Sequence, residues 1–170
     1  MSDEQIWLVQ SPQFFDYDKA MHKRSWLQYG AGNIQNYFYS IIQRSRDTFG
    51  GAICVGSCAI YRRKALKSIW WTVQVEHSED VHTWFRLVTH GWKLKYIPLV
   101  LSKGVCPSDL ISFFKQQIRW CSGSMNLLCS SYFWKSRIPV MMRVSYLSWF
   151  MYYLSNPTKL LLVIQTFFLF

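Results

Sequence analysis

The pattern of apolar and polar residues predicts strands and a loop in the first 106 residues. Residues 6–9 form a continuous apolar run that Ser11-Pro12 ends, which is typical of a short buried strand. Residues 92–96 alternate apolar side chains with two lysines, which predicts a half-exposed strand. The small apolar stretch 52–61 predicts a buried strand or turn, and residues 14–19 predict a loop.

Two other segments repeat apolar residues at helical spacing. Residues 33–49 predict a helix that Gly50-Gly51 would end. A second helix is predicted from Glu79 to Gly91, with Ser78 as its N-cap. Asp80 lies in the first turn, where the helix dipole is expected to keep its carboxylate ionised. The apolar positions are Ile34, Tyr37, Phe38, Ile41 and Ile42 in the first helix, and Val81, Trp84, Phe85 and Val88 in the second.

A third helix is predicted within residues 109–123, DLISFFKQQIRWCSG, and its two faces differ in character. Gln116, Arg119 and Trp120 stand at i, i+3 and i+4, a spacing that places them on one face. The opposite face is apolar and is expected to be buried. Its members are Ile111, Phe114, Ile118, Cys121 and Met125.

The C-terminal stretch predicts a transmembrane helix. Residues 144–170 contain Lys159 as their only charge. At about 1.5 Å per residue, a helix of this length crosses a bilayer core of roughly 30 Å. Asn156-Pro157 would kink it. Four aromatic residues would form an interfacial belt, namely Tyr146, Trp149, Tyr152 and Tyr153. The predicted organisation is an α/β domain (1–106), an amphipathic interfacial helix with a basic connector (107–139) and a truncated transmembrane segment (140–170).

Charge and cysteine usage narrow the cellular setting. The formal net charge is +10, and every acidic residue precedes position 110. A basic segment that runs into an apolar one favours an anionic membrane leaflet and a cytoplasmic start. Nucleic-acid binding is the other usual explanation for such a charge, and we discount it because the basic residues are scattered and the tail is apolar. The five cysteines form no Cys-x-x-Cys pair, which favours reduced thiols in a cytosolic compartment.

The polar face of the third helix carries the most specific chemistry. A guanidinium and an amide, here Arg119 and Gln116, are suited to holding a diphosphate, because the guanidinium fork matches phosphate oxygens. The broad apolar ring of Trp120 is suited to stacking on a sugar. An ordinary amphipathic helix with a polar rim fits the same spacing.

Four motifs give this face a context. Residues 116–120 read Q-Q-I-R-W, residues 78–80 read S-E-D, residues 55–63 read V-G-S-C-A-I-Y-R-R and residues 9–13 read V-Q-S-P-Q. Taken one by one, they resemble the Q-x-x-R-W, T-E-D, F-C-G-S-x-x-x-x-R-R and V-Q-T-P-Q motifs of processive family-two glycosyltransferases. They also follow one another along the chain in the order found in that family. These are cellulose-synthase-like membrane enzymes, with relatives that make chitin and hyaluronan. Ser78 departs from the family threonine, and Val55 stands where the family often has cysteine.

The resemblance implies transfer of a sugar, with inversion, from a UDP-sugar to a growing β-linked polysaccharide. It assigns Asp80 as the general base, with Glu79 as the rival carboxylate. Gln116 and Arg119 would bind the donor diphosphate. The acceptor-binding residues would be Trp120, Gly56 and Ser57.

The resemblance also implies that much of the family's domain is missing. The nucleotide-binding half precedes V-Q-T-P-Q in the family, so we expect a partial GT-A fold that is inactive by itself. Mg²⁺ or Mn²⁺ is expected for the complete enzyme, with ligands outside this chain. Asp16-Tyr17-Asp18 has the Asp-x-Asp form of a metal site but follows that strand instead of preceding it, so no metal ligand is assigned here.

Two functions therefore remain open, beside a third that we discount, a basic membrane-associated nucleic-acid binder. The first is a fragment of an integral membrane synthase with a cytoplasmic catalytic part, a UDP-sugar donor, a polysaccharide acceptor and the lipid bilayer as partners, and no nucleic acid. The second is a non-catalytic, truncated or decayed relative that binds a glycan or a partner at the membrane.

Overall fold

The computed structural model describes residues 3–16 and 25–168, and these form a mixed α/β structure, which confirms the predicted class. The central strand β1 (Ile6–Gln10) pairs antiparallel with β3 (Ala59–Tyr61) and parallel with β4 (Lys93–Tyr96). A second, two-stranded parallel sheet joins β2 (Gln13–Asp16) to β5 (Ser102–Val105). Both sheets therefore bring distant parts of the chain beside its N-terminal segment.

The strands follow the sequence pattern where that pattern is strong. The predicted strand at residues 6–9 is confirmed as β1, in which Trp7 and Leu8 are fully buried. The alternating strand is confirmed as β4, with Leu94 and Tyr96 buried. The stretch 52–61 is a strand only at its C-terminal end, although Ala52, Ile53 and Cys54 are buried as expected.

The loop expected at residues 14–19 is wrong for its first part, because β2 covers Gln13–Asp16. This strand is four residues long and exists through its ladder with β5, which lies far along the chain. A short segment of that kind shows no local period, so its strand character depends on the partner.

The helix predicted at residues 33–49 is part of a longer one. Helix α1 (Trp26–Tyr37) continues through a π-helical segment (Phe38–Gln43) into α2 (Arg44–Thr48). Ser25 begins it with a capping box: its hydroxyl accepts from the Gln28 amide, and the Gln28 side chain accepts from the Ser25 amide. This signal lies eight residues before the predicted start.

The remaining helices are α3 (Arg63–Ser68), α4 (Glu79–Thr89), α5 (Leu110–Cys129), α6 (Ser131–Lys135) and α7 (Val140–Phe168). The helix predicted from Glu79 is confirmed as α4, and Gly91, with a φ of +82°, follows its end. Asp109 caps α5, since its carboxylate accepts from the Ser112 amide at 2.8 Å.

One hydrophobic core is shared by all three predicted parts of the chain. Trp84 of α4 packs on Tyr146 of α7, with ring centroids 4.4 Å apart. Phe133 of α6 contacts Tyr146 and Phe150 of α7. Tyr146 is completely buried within the protein, so its assignment to an interfacial belt is wrong. The packing of α7 on α4 and α6 explains this, because it covers the side of α7 that carries Tyr146 and Phe150.

The apolar face of α5 is not buried, contrary to expectation. Ile111, Phe114 and Ile118 are 69%, 57% and 66% exposed. The helix packs instead through its C-terminal half, where Gly123 and Leu127 are buried. All the buried residues of α5 lie in this half, so the apolar side chains of the earlier turns are left exposed.

The transmembrane segment expected from residue 140 is not found. Within the described residues, no helix combines the length and the apolarity needed to cross a bilayer. Helix α7 nevertheless begins at Val140, the predicted boundary, and stays helical through Asn156-Pro157.

Candidate active site

A cleft of about 780 Å³ opens between the α1–α2 helix, the loop before β3, and helices α4, α5 and α7. Every residue that the sequence nominated for the site lies on its wall. Gly56 and Ser57 come from the loop before β3, Asp80 from the start of α4, and Gln116, Arg119 and Trp120 from α5. Residues up to 64 positions apart in the sequence thus face one space.

Asp80 is fixed from two sides in the first turn of α4. Its Oδ1 accepts a hydrogen bond from the Val81 amide at 2.8 Å. Its Oδ2 faces Gly56, where an added Cβ would come within 2.7 Å of that oxygen. Gly56 also has a φ of +73°, a conformation that favours glycine. A side chain at position 56 would therefore both strain the backbone and displace the carboxylate.

The environment of Asp80 holds its proton more tightly than usual. Burial is the main cause and raises the pKa from 3.8 to about 6, and the neighbouring Glu79 acts in the same direction. The Val81 amide and Arg119 oppose this rise. Desolvation therefore outweighs the lowering of this pKa that the helix dipole was expected to produce. A carboxyl with a pKa near 6 is a stronger base than an ordinary aspartate and is still largely ionised at neutral pH.

The turn that leads into α4 differs from the predicted cap. Ser78 has a φ of +57° and its side chain makes no capping hydrogen bond, so its assignment as a conventional N-cap is wrong. The Ser78 side chain instead lies against Gly123 of α5. This contact links the turn that carries Asp80 to the helix that carries the other candidate residues.

The polar face of α5 is directed to the cleft. Gln116 and Trp120 are half-buried on the wall, and Arg119 is exposed. Among the described residues, Lys95 and Asp47 form the one ion pair, with Nζ and Oδ2 2.6 Å apart, so Arg119 holds no carboxylate partner there. A guanidinium that is free of an ion pair can bind an anionic ligand with little competition.

The loop at Gly56 and Ser57 is supported from below by buried polar groups. The fully buried Gln10, the glutamine of V-Q-S-P-Q, donates from Nε2 to the Ser57 carbonyl at 3.3 Å. The Tyr39 hydroxyl lies 3.4 Å from the Ser57 hydroxyl. Burial raises the pKa of Tyr39 to about 12, so this hydroxyl stays neutral at physiological pH. These contacts fix the part of the wall that the sequence assigned to the acceptor.

Several wall residues were missed by sequence reasoning. Arg46 of α2 lines the cleft, and its Nη2 donates to the Ser148 hydroxyl at 2.9 Å. Burial lowers the pKa of Arg46 to about 10, which still leaves it charged at neutral pH. Trp149 and Tyr153 of α7 also line the cleft, although their aromatic character was interpreted as a membrane belt. For Arg46 the sequence offers no signal.

The Asp-x-Asp candidate is only partly visible. Asp16 ends β2, and Asp18 lies outside the described residues. Within residues 3–16 and 25–168, no three His, Cys, Asp or Glu side chains come together as a metal-binding group. All five cysteines are free thiols.

Comparison with known sequences places the whole segment in one family. The family model described as glycosyl transferase family group 2 matches residues 2–170. Cellulose synthase 1 catalytic subunit (UDP-forming) of Komagataeibacter xylinus is 32% identical over 127 residues, which cover 75% of this chain and 17% of that protein. The corresponding UDP-forming subunit of Komagataeibacter sucrofermentans is 29% identical, also over 75% of this chain and 17% of that protein.

A third relative, with lower identity, covers nearly as much of this chain. The UDP-forming cellulose synthase catalytic subunit of Xanthomonas axonopodis pv. citri is 26% identical over 123 residues, or 72% of this chain and 17% of that protein. The chain thus spans 17% of the length of these three relatives. Since the family model covers nearly every residue, and the four motifs meet at one cleft, the chain belongs to the glycosyl transferase family group 2.

Proposed function

We propose that this chain forms the acceptor-side half of a GT-A catalytic domain in a membrane-bound, inverting glycosyltransferase. The enzyme would transfer a sugar from a UDP-sugar to a growing β-linked polysaccharide. The observation that carries this proposal is the convergence of Gly56, Ser57, Asp80, Gln116, Arg119 and Trp120 on one cleft. The relatives named as UDP-forming subunits support the same donor class.

Asp80 has the chemistry that the proposed base needs. As the acceptor hydroxyl oxygen attacks the anomeric carbon, its proton passes to an Asp80 carboxylate oxygen, and the bond to the donor diphosphate breaks with its electrons on UDP. A carboxylate with a pKa near 6 accepts this proton more readily than an ordinary aspartate. Its contacts with Val81 and Gly56 hold it in place before the substrate binds.

The face of α5 supplies the other two requirements of the reaction. Arg119 and Gln116 bind the leaving diphosphate, where the guanidinium offsets the negative charge that develops as the bond breaks. Trp120 stacks on the terminal sugar of the acceptor and orients its hydroxyl. All three side chains line the same cleft as Asp80.

We also propose that the nucleotide and the divalent cation of the complete enzyme are held by residues outside this chain. The described residues offer no carboxylate or histidine cluster that fits Mg²⁺ or Mn²⁺. In this proposal the isolated chain does not turn over a sugar donor.

A membrane position for the enzyme, with the catalytic part on the cytoplasmic side, is supported by two exposed apolar surfaces. One lies on α5 and the other at the start of α7, where Val140 and Val144 are exposed. We propose that both contact the bilayer, with nearby basic side chains such as Lys115 and Arg137 facing its anionic headgroups. The exposed apolar residues are Leu110, Ile111, Phe114, Ile118, Val140, Met141, Val144 and Met151.

The decisive experiment compares two carboxylates in the complete enzyme to which this chain is assigned. Asp80→Asn keeps the size of the side chain and removes the proton acceptor, so turnover should fall by at least about a hundredfold. Donor affinity should change little, since the diphosphate is assigned to Arg119. Glu79→Gln is the matched control, because it removes one charge from the adjacent, exposed position.

Two outcomes would overturn the proposal. Near-normal turnover of Asp80→Asn would remove Asp80 as the base, and a larger loss in Glu79→Gln would transfer the role to its neighbour. Absence of transfer by the unmodified complete protein, with glycan binding retained, would instead favour a non-catalytic relative. Arg119→Ala completes the set, because it should weaken donor binding as well as slow the transfer.

A further inference from the structure

Helices α4 and α5 meet at Gly123, where there is no room for a side chain. A Cβ at this position would collide with Oγ and Cβ of Ser78, and it would lie 3.2 Å from the His77 carbonyl oxygen. Rotating the serine hydroxyl away would not relieve the contact. The Ser78 Cβ and the His77 carbonyl oxygen are fixed by the backbone and can move only if the backbone moves. Gly123 therefore sets how closely α5 can approach the turn that begins α4.

That turn has an unusual conformation for its sequence. Ser78 has φ and ψ of +57° and +43°, the left-handed region that residues other than glycine seldom adopt. Such a conformation persists where surrounding contacts determine it. The contact of the Ser78 side chain with Gly123 is one of these. His82, one turn into α4, also lies beside the backbone of Gly123.

Gly123 is also aligned with the face of α5 that lines the cleft. It follows Arg119 by four residues and Trp120 by three, which places it on the same side of the helix. Asp80 follows Ser78 by two residues and is held on its other side by Gly56. The Ser78–Gly123 contact is therefore the junction between the carboxylate and the Arg119–Trp120 face.

We infer that Gly123 is a positioning residue that, through its contact with Ser78, sets the separation between Asp80 and the Arg119–Trp120 face. The catalytic meaning of that separation rests on the function proposed above, in which the base and the diphosphate-binding group act on one sugar. A methyl group at position 123 would push α5 away from α4 or rotate the turn. Either movement would misplace Asp80 relative to Arg119, and transfer is sensitive to displacements of about 1 Å.

Because Ser78 supplies the colliding atoms, removing its side chain should rescue a variant at Gly123. Gly123→Ala should lower kcat of the complete enzyme by at least about tenfold, with the KM for the donor changed much less. Ser78→Gly removes both colliding atoms and adopts a positive φ without strain, so the double variant Ser78→Gly/Gly123→Ala should recover most of kcat. Ser122→Ala, at the exposed neighbouring position, is the control for an added alanine in α5 and should leave kcat unchanged.

A second measurement needs no sugar transfer and uses the chain described here. The titration of Asp80 can be followed by carboxyl ¹³C NMR, since its midpoint reports the burial of that side chain. Gly123→Ala should move the midpoint by roughly 0.5 pH or more, and Ser78→Gly/Gly123→Ala should return it toward the wild-type value. Ser122→Ala should not move it.

The two measurements separate the inference from the proposed function. If the titration shifts and is rescued while no complete variant transfers sugar, the positioning role stands and the proposed function fails. If Gly123→Ala leaves both the titration and kcat unchanged, the inference is overturned. If Gly123→Ala does not fold, the double variant decides: a folded protein with the wild-type titration supports the inference, and one that still fails to fold overturns it.

Discussion

At the scale of single residues, the half-buried carboxylate of Asp80 lowers the stability of the folded chain when it is ionised. Burial raises its pKa, so the folded chain binds a proton that the unfolded chain has already released. Between pH 3.8 and about 6, the free energy of unfolding should therefore fall as the pH rises. Above that range both states carry the ionised carboxylate, and the stabilising contribution of the proton is lost.

Asp80→Asn should consequently stabilise the chain at neutral pH although it abolishes the proposed base. Asparagine cannot ionise, and its side-chain oxygen can still accept from the Val81 amide. Allowing for the partial exposure of Asp80, the gain in free energy of unfolding should be roughly 1–2 kcal/mol at pH 8 and close to zero near pH 4. Urea unfolding across this range measures it. A variant less stable than wild type at pH 8 would contradict this prediction. Glu4→Gln, at an exposed position near the N-terminus, serves as the control.

Gln43 is a buried side chain with a purely structural role. Its Nε2 donates to the Ile53 carbonyl at 2.6 Å, and its Oε1 accepts from the Ile53 amide at 3.0 Å. Gln43→Met keeps the shape and leaves both backbone groups unpaired, so the free energy of unfolding should fall by about 2–5 kcal/mol. Chemical denaturation tests this. The same change at exposed Gln5 should lower the free energy of unfolding by less than about 0.5 kcal/mol. Equal losses at the two positions would show that the hydrogen bonds from Gln43 to Ile53 do not stabilise the fold.

At the scale of elements, the sequence predicted structure where one face of an element meets the core. Strand β1 and helix α4 carry dense apolar patterns, and both were located correctly. Helix α5 was located as well, but the fate of its apolar face was not, because a periodic pattern identifies a face without identifying what covers it. The prediction of Ser78 as a conventional N-cap was wrong for a related reason. Its side chain lies against Gly123, a residue of another helix 45 positions along the chain.

The exposed face of α5 yields a prediction of its own. Replacing Ile111, Phe114 and Ile118 together by glutamine should leave the free energy of unfolding within about 1 kcal/mol, because these side chains pack against little in the protein. Binding to phosphatidylcholine vesicles that contain phosphatidylglycerol should weaken by at least about tenfold, since three apolar side chains no longer leave water. Vesicle co-sedimentation of the expressed chain measures this.

Leu127→Ala gives the matched contrast on the same helix. Leu127 is 1% exposed, and its truncation should lower the free energy of unfolding by about 2–5 kcal/mol without affecting vesicle binding by the folded fraction. Unchanged vesicle binding of the triple variant would show that the apolar face of α5 does not contact lipid. A strongly destabilised triple variant would show that this face is packed in the protein.

At the scale of the whole molecule, the sequence predicted three separate parts, whereas in the structure residues from all three pack into one core. The boundaries at 106 and 139 follow changes in polarity, yet one core joins Trp7 of β1, Trp84 of α4 and Tyr146 of α7. A polarity profile records composition along the chain, whereas this core is assembled from residues far apart in it. The cleft has the same origin, since its walls come from α1, α4, α5 and α7. Catalytic geometry in the proposed enzyme therefore depends on α7, which composition alone assigned to the membrane.

Removal of α7 should for this reason unfold the α/β part. A chain that ends at Pro139 loses Tyr146 and Phe150, both fully buried, and exposes the rings of Trp84 and Phe133. Each lost aromatic ring is worth about 3–5 kcal/mol in such a core, so the two together are comparable with the 5–15 kcal/mol that stabilises a typical domain. Near-ultraviolet circular dichroism and urea unfolding should show a chain without fixed aromatic packing and without a cooperative transition.

The control for this truncation ends the chain at Tyr153. It keeps the described core residues of α7, namely Met142, Tyr146, Phe150 and Tyr153, and should retain the near-ultraviolet spectrum and the cooperative transition. If the chain ending at Pro139 unfolds as cooperatively as the one ending at Tyr153, then residues 1–139 fold alone and α7 is only appended to them. If both truncations unfold, the described packing of α7 is insufficient for stability. Loss of cooperativity in the shorter chain alone would establish α7 as part of the domain that holds Asp80 and Arg119 in place.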